Sequence, residues 1–199
     1  VLACSDERLT VRCNSNGFAP TLEKYRNLDP RVHYDSFESN RGFQENLYKL
    51  LSETDAKYCM ILSDEDRIDI NEYEKILNFL ENLSSSISVV ICSISYKEKS
   101  GFYWRPNQKF LEIDIHDCVA LNPIPTYVSG YIFNVDNLSD IDLKSFFKTS
   151  IGNVYHFADL SLYLLPHKKL KYYHDRFVEM GPAIKYGGCL LYTSDAADE

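Results

Sequence analysis

Tyr58-Cys-Met-Ile-Leu-Ser-Asp-Glu-Asp66 is the stretch on which the reading of this chain turns. Its first five residues are apolar without alternation, and carboxylates follow at 64, 65 and 66. Such a run reads as a strand buried on both faces, as in a parallel α/β sheet. Ligands of open α/β sheets collect outside the carboxyl ends of the strands, which is where Asp64, Glu65 and Asp66 would stand. Grouped oxygen donors suit Mg2+ or Mn2+ shared with substrate phosphates. A polar strand-to-helix turn, with Asp69 or Asn71 capping the next helix, accounts for the same residues without chemistry.

Upstream of that run, residues 8–13 alternate as a strand, and Asn14-Ser-Asn-Gly17 breaks it in a turn with positive φ at Gly17. Pro20 opens a short helix over 20–27. A second strand spans 32–37, and Asn40-Arg-Gly42 leads into an amphipathic helix over 43–52. The central strand covers 57–62. Downstream, a helix over 71–83 opens on Asn71 and Glu74 in the pattern of a capping box. An Ile, Val and Ser-rich strand follows at 87–96. The order β-α-β-α-β-α-β with short loops marks an α/β fold with a parallel sheet covered by helices on both sides.

After Tyr96 the pattern loosens. Residues 101–105 read as an aromatic loop, 109–115 as a strand, 126–133 as a strand interrupted at Ser129-Gly130, and 136–148 as a polar helix. A helix over 154–165 would carry Val154, Phe157, Ala158, Ser161, Leu162 and Leu165 on one face. A last strand covers 171–178.

With 199 residues, 45% of them hydrophobic, the chain has enough apolar material for one folded domain. A net charge of −8 argues against a general nucleic-acid or anionic-membrane binder, although Lys168, Lys169 and Lys171 could make a local basic patch. No apolar run approaches the length of a membrane span and no signal peptide is visible. Cysteines at 4, 13, 59, 92, 118 and 189 include no Cys-x-x-Cys pair. Cys13, Cys59 and Cys92 fall in strands expected to be buried, which favours free thiols in a reducing cytoplasm over zinc or a disulfide framework. Both ends read as truncated. The chain opens on Val1, and Cys189 to Glu199 resembles a translated sequencing adapter, which would leave residues 1–188 as a single incomplete domain and 189–199 as a non-native tail.

The ordered set of motifs resembles the family 2 glycosyltransferases of GT-A fold. That family has a strand ending in an Asp-Asn-Gly-Ser-like turn, a strand leading to Asn-x-Gly at a helix start, and a strand ending in Asp-x-Asp. Here Asn14-Ser-Asn-Gly17, Asn40-Arg-Gly42 followed by Asn46, and Ser63-Asp-Glu-Asp66 stand in that order. Thr126-Tyr-Val-Ser-Gly-Tyr-Ile-Phe133 is similar to the strand that the family places beside its acceptor site. The resemblance implies a three-layer α/β/α sandwich with a mostly parallel central sheet, here without its first strand. It also implies a nucleotide-sugar donor bound by Asn14, Ser15, Asn16, Asn40, Arg41, Gly42 and Asp64. A Mn2+ or Mg2+ ion would be held by Asp64 and Asp66, and Asp159 would act as base in a transfer that inverts the anomeric centre. The acceptor would be a glycan or a lipid-linked hydroxyl, in bacterial surface-polysaccharide synthesis, in the cytoplasm or at the inner face of the plasma membrane.

Two departures bear on this. The first turn has Asn14 or Ser15 where the family has aspartate, and the family's Glu-Asp pair is reduced to Ala158-Asp159. A nucleotide-sugar or glycan binding module of the same fold without catalysis is the alternative. Each residue also has a plainer role open to it: Asp159 as a solvated helix residue, Arg41 as a surface charge, Trp104 as a packing anchor rather than a sugar-stacking ring, and His156 as a helix-surface histidine.

Overall fold

A computed structural model describes residues 5–17, 29–96, 101–106, 112–117, 124–149 and 155–181. The helix expected at 20–27 and the tail at 189–199 lie outside these residues. The described residues fall into two compact units, one within 1–56 and 142–154, the other within 57–141 and 155–184.

The first unit holds strands β1 (Val11–Ser15) and β2 (Val32–Ser36) and helices α1 (Gly42–Ser52) and α4 (Leu143–Thr149). β1 and β2 pair in parallel, with Val11 opposite Val32 and Ser15 opposite Ser36. The apolar face of α1 buries Leu47 and Leu51, and its Tyr48 ring meets Phe147 of α4 at 5.8 Å. Cys13 is exposed, contrary to the sequence expectation.

The second unit holds β3 (Tyr58–Met60), β4 (Arg67–Ile68), β5 (Ile87–Tyr96), β6 (Phe102–Trp104), β7 (Glu112–Ile113), β8 (Tyr131–Asn134) and β9 (Lys169–Met180), with helices α2 (Tyr73–Glu81), α3 (Val135–Leu138) and α5 (His156–Leu164). The sheet order is β3-β8-β5-β9-β4, with β6 paired to β5 and β7 to β9. β5 is buried from Ile87 through Ser95 and forms the spine. β8 runs antiparallel to both β3 and β5, while β9 runs parallel to β5. β3, β5 and β9 therefore point the same way, as the β-α-β order requires. The reversed β8 and the short antiparallel β4, β6 and β7 make the sheet mixed, because antiparallel neighbours need no helical crossover.

Helices cover both faces of this sheet. Ile76 and Leu80 of α2 pack with Val90, Cys92, Ile94 and Ile132. Phe157 of α5 meets the Tyr131 ring at 4.9 Å, and Tyr131 and Ile132 point to opposite faces because strand side chains alternate. The three-layer α/β/α arrangement follows. Three buried serines of β5 are satisfied by β9: Ser88 donates to the carbonyl of Lys169, Ser93 to those of Tyr173 and His174, and Ser95 to that of Val178. Burying these hydroxyls unpaired would be costly.

Several local expectations change. Asp69, not the Asn71–Glu74 pair, caps the approach to α2: its Oδ1 accepts the Asn71 N–H at 3.0 Å, and a 3-10 turn Ile70–Glu72 precedes the helix. The helix expected over 136–148 divides into α3 and α4, because Asn134 and Asp142 each cap a helix start, accepting the N–H of Asp136 and of Ser145. The expected aromatic loop is the hairpin strand β6, where half-buried Trp104 packs on Tyr172 at 5.9 Å. The buried face of α5 is wider than expected: Phe157, Ala158, Ser161 and Leu165 are buried as expected, Leu160 and Leu164 are buried as well, Leu162 is 41% exposed, and His156 is buried rather than on the surface. Lys168, Lys169 and Lys171 form no open basic patch, since they pair with Asp140 and Glu112.

Candidate functional site

Two groups of side chains stand at strand ends, one in each unit. In the first unit, β1 and β2 end side by side, and the Phe37 N–H donates to the Ser15 carbonyl at 2.9 Å. Their turns are tied together. The Asn14 amide donates to Asn46 Oδ1 on α1 at 2.7 Å, and the Asn46 amide donates back to the Asn14 carbonyl at 3.3 Å. Asn16 Oδ1 accepts the Arg41 N–H, and Asn40 Oδ1 accepts the Gly42 N–H, each at 2.8 Å. The Ser15 hydroxyl closes on the Gly17 carbonyl. Gly17 at φ 122° and Gly42 at φ 83° take left-handed conformations that a side chain would strain. The Arg41 guanidinium lies on the Phe37 ring, 4.8 Å from its centre. The N-cap residue Arg41 makes no side-chain capping bond at the start of α1, and the first helical amide, that of Gly42, is taken by Asn40 instead.

In the second unit, β3 ends at the acidic turn. Asp64 is exposed, while Asp66 is 7% exposed. Asp66 Oδ1 accepts from the Tyr127 hydroxyl at 2.6 Å and from the Gly181 N–H at 2.9 Å, and Oδ2 accepts from the Ser129 hydroxyl at 2.5 Å. Ser129 Oγ also accepts the Ser63 N–H at 2.9 Å, so one buried serine fixes both ends of the turn. Gly181 lies against the same turn so closely that a Cβ there would overlap the Glu65 carbonyl. Burial, and then the Asp64 and Asp66 charges, push the Glu65 carboxyl above its usual range. Burial and the bond to Asp66 push the Tyr127 hydroxyl far up.

The oxygen set admits a divalent cation. Asp64 is open, and Asp66 Oδ2 takes one donor and keeps acceptor capacity. Among the described residues no three His, Cys, Asp or Glu side chains form a metal-holding group.

Asp159 lies in the first turn of α5, half-buried, its N–H bonded to the Tyr155 carbonyl at 3.0 Å. The helix is docked by Phe157 on Tyr131, whose carbonyl accepts the Ile61 N–H at 2.9 Å, three residues before Asp64. Thus Asn14, Ser15, Asn16, Asn40, Arg41 and Gly42 gather in one unit, and Asp64, Asp66 and Asp159 belong to the other. Sequence reading missed Tyr127, Ser129 and Gly181 as partners of Asp66. The expected strand over 126–133 begins only at Tyr131, so Tyr127 and Ser129 reach Asp66 from a turn that strand periodicity does not describe.

Paired Asn-rich turns at the strand ends of one sheet and an acidic turn at a strand end of the other are the features that go with the class. The chain belongs to glycosyl transferase family 2, whose family model matches residues 13–157. Its fold is similar to the crystal structure of S. aureus TarS 1–349, with TM-score 0.65 and 12% identity over 86% of this chain and 51% of that one. The same protein in complex with UDP-GlcNAc gives TM-score 0.64 and 13% identity over 88% and 50%. The chain therefore has the GT-A fold and spans about half the length of those structures. No curated protein matches it significantly.

Proposed function

We propose that this chain is the donor-binding part of a metal-dependent glycosyltransferase that moves a sugar from a nucleotide-sugar to a glycan or lipid-linked hydroxyl. The carrying observation is the acidic turn, with Asp64 open at the end of β3 and Asp66 clamped behind it. The Asn14–Gly17 and Asn40–Gly42 turns, with Arg41, would bind the nucleotide. A Mn2+ or Mg2+ ion at Asp64 and Asp66 Oδ2 would offset charge developing on the leaving diphosphate. Asp159 would take the proton of the acceptor hydroxyl. The acceptor oxygen then bonds to the anomeric carbon as the bond to the diphosphate breaks, which inverts that centre. A UDP-sugar is the first donor to test, because TarS was crystallised with UDP and UDP-GlcNAc. The setting that follows is bacterial surface-polysaccharide synthesis, in the cytoplasm or at the inner membrane face.

Ala158-Asp159 is half of the acidic pair that the family resemblance implies, which favours the binding-module reading as the second one. Calorimetry with UDP, with and without Mn2+, tests donor binding, and transfer from UDP-GlcNAc and other nucleotide-sugars separates the two readings. Mn2+-dependent UDP affinity that falls in Asp64→Asn is expected; affinity indifferent to Mn2+ would overturn the metal role. Donor binding without transfer to any acceptor would leave the binding module.

A further inference from the structure

We propose that Tyr127 decides which divalent cation the acidic turn accepts. By occupying Asp66 Oδ1 it leaves this carboxylate a one-oxygen ligand, suited to Mn2+ or Mg2+ rather than Ca2+. The inference rests on the metal role that the glycosyl-transfer reading gives to Asp64 and Asp66. Each oxygen of a carboxylate offers two acceptor positions. Both positions of Oδ1 are taken, by the Tyr127 hydroxyl at 2.6 Å and the Gly181 N–H at 2.9 Å. Oδ2 accepts the Ser129 hydroxyl at 2.5 Å. Among the described residues no further donor reaches Asp66, so the acceptor position that remains is on Oδ2.

The segment that presents Tyr127 is itself fixed. Its ring packs against Tyr103 at 5.3 Å. Two residues before it, the Pro125 carbonyl accepts the Tyr131 hydroxyl. Three residues after it, the Gly130 N–H donates to the Ile61 carbonyl at 3.1 Å. Asp66 is buried, so its carboxylate cannot turn out to water to free Oδ1. Ion choice then follows from the oxygens on offer. Ca2+ has the larger and more flexible shell and draws on both oxygens of a carboxylate, whereas Mg2+ keeps to a tight octahedron of single oxygens and water, the geometry that also serves Mn2+. Tyr127 touches no ion in this scheme. It is a positioning residue that acts through Asp66, as outer hydrogen-bond partners of metal ligands do.

UDP affinity is measured by calorimetry in Mn2+, Mg2+ and Ca2+ for the unmodified chain, for Tyr127→Phe and for a control, Tyr58→Phe. The Tyr58 hydroxyl donates to the Leu80 carbonyl at 2.9 Å, so the control loses a tyrosine hydrogen bond that does not involve Asp66. Urea midpoints confirm that each variant is folded. The unmodified chain and the control are expected to bind UDP about tenfold or more tightly in Mn2+ than in Ca2+, with Mg2+ on the Mn2+ side. Tyr127→Phe frees an acceptor position on Oδ1 and should narrow the Mn2+-over-Ca2+ preference about tenfold, the size such outer partners have at metal sites. The ratio is the readout, because a general loss of stability lowers affinity in every ion alike. An unmodified chain without that preference would overturn the inference. So would a preference unchanged in Tyr127→Phe, or narrowed equally in Tyr58→Phe, and in each of these cases ion-dependent UDP binding leaves the metal role standing. UDP affinity indifferent to all three ions would overturn the metal role and the inference with it.

Discussion

The Tyr127 hydroxyl donates to Asp66 Oδ1 at 2.6 Å, joining residues 61 positions apart. With Ser129 on Oδ2 and the Gly181 amide on Oδ1, it makes Asp66 a clamp between the end of β3, the approach to β8 and the end of β9. The two aspartates of the Asp-x-Asp turn are therefore unequal. Asp64 is open to a ligand, whereas Asp66 also holds the turn in place.

That inequality predicts different outcomes for Asp64→Asn and Asp66→Asn. An amide at 66 keeps one acceptor oxygen but turns a donor toward hydroxyls that already donate. Leaving a buried polar group unmet costs about 1–3 kcal/mol, so Asp66→Asn should unfold at lower urea. Exposed Asp64→Asn should stay within about 0.5 kcal/mol of the parent. Both should weaken Mn2+-dependent UDP binding in calorimetry. Equal urea midpoints for Asp66→Asn and the parent would show that the clamp carries no stability.

Gly181→Ala tests the same clamp from the other strand. A methyl group at 181 overlaps the Glu65 carbonyl, a backbone atom that cannot rotate away. The end of β9 must shift, and the amide bond to Asp66 is strained or lost. Overpacking of this kind costs about 1–3 kcal/mol. In a double-mutant cycle with Asp66→Asn the two losses should add to less than their sum, since they break one bond. Full additivity would mean that the two residues are not coupled.

Thiol reactivity should separate the described cysteines. Cys92 is wholly buried on β5, and burial pushes its thiol well above the usual range, so little of it is thiolate at pH 8. Cys13 is exposed. Peptide mapping after iodoacetamide treatment of the native chain should find Cys13 modified first, slowed by the partial burial that raises its thiol above the usual range, and Cys92 only after denaturant is added. Early modification of Cys92 would mean that β5 opens locally.

The β-α-β frame was legible because continuous apolar runs mark buried strands whatever their partners, as with Ile87 to Ser95. The positive φ at Gly17 was legible for the same local reason: a turn that short needs a glycine. What depended on distant partners was not. The burial of Asp66 is set by Tyr127 and Ser129 and by Gly181, which is 115 positions away. On α5 the periodicity placed Phe157, Ala158, Ser161 and Leu165 correctly, but not Leu162, which faces out, or His156, which packs in beside them. The break between α3 and α4 was readable in principle, since Asn134 and Asp142 are both strong capping types. The polar run around them concealed it.

Asp159→Asn should lower turnover far more than it lowers donor affinity or stability. Asp159 sits in the first turn of α5, where a carboxylate also interacts favourably with the helix dipole. Removing that charge costs about 0.3–1 kcal/mol of stability, which urea unfolding would register. A base acts on the acceptor hydroxyl in the transition state, so its loss should reduce kcat about 10²- to 10⁴-fold. Donor binding is assigned to Asp64, Asp66 and the Asn40 turn, and UDP affinity should stay within about twofold. Lowering kcat without weakening ground-state binding is what distinguishes a transition-state role from a structural one. Steady-state kinetics on the full-length protein, with UDP affinity measured separately, decide the matter. Turnover within a few-fold of the parent, together with the small stability loss, would leave Asp159 as a residue that serves the helix start and no more.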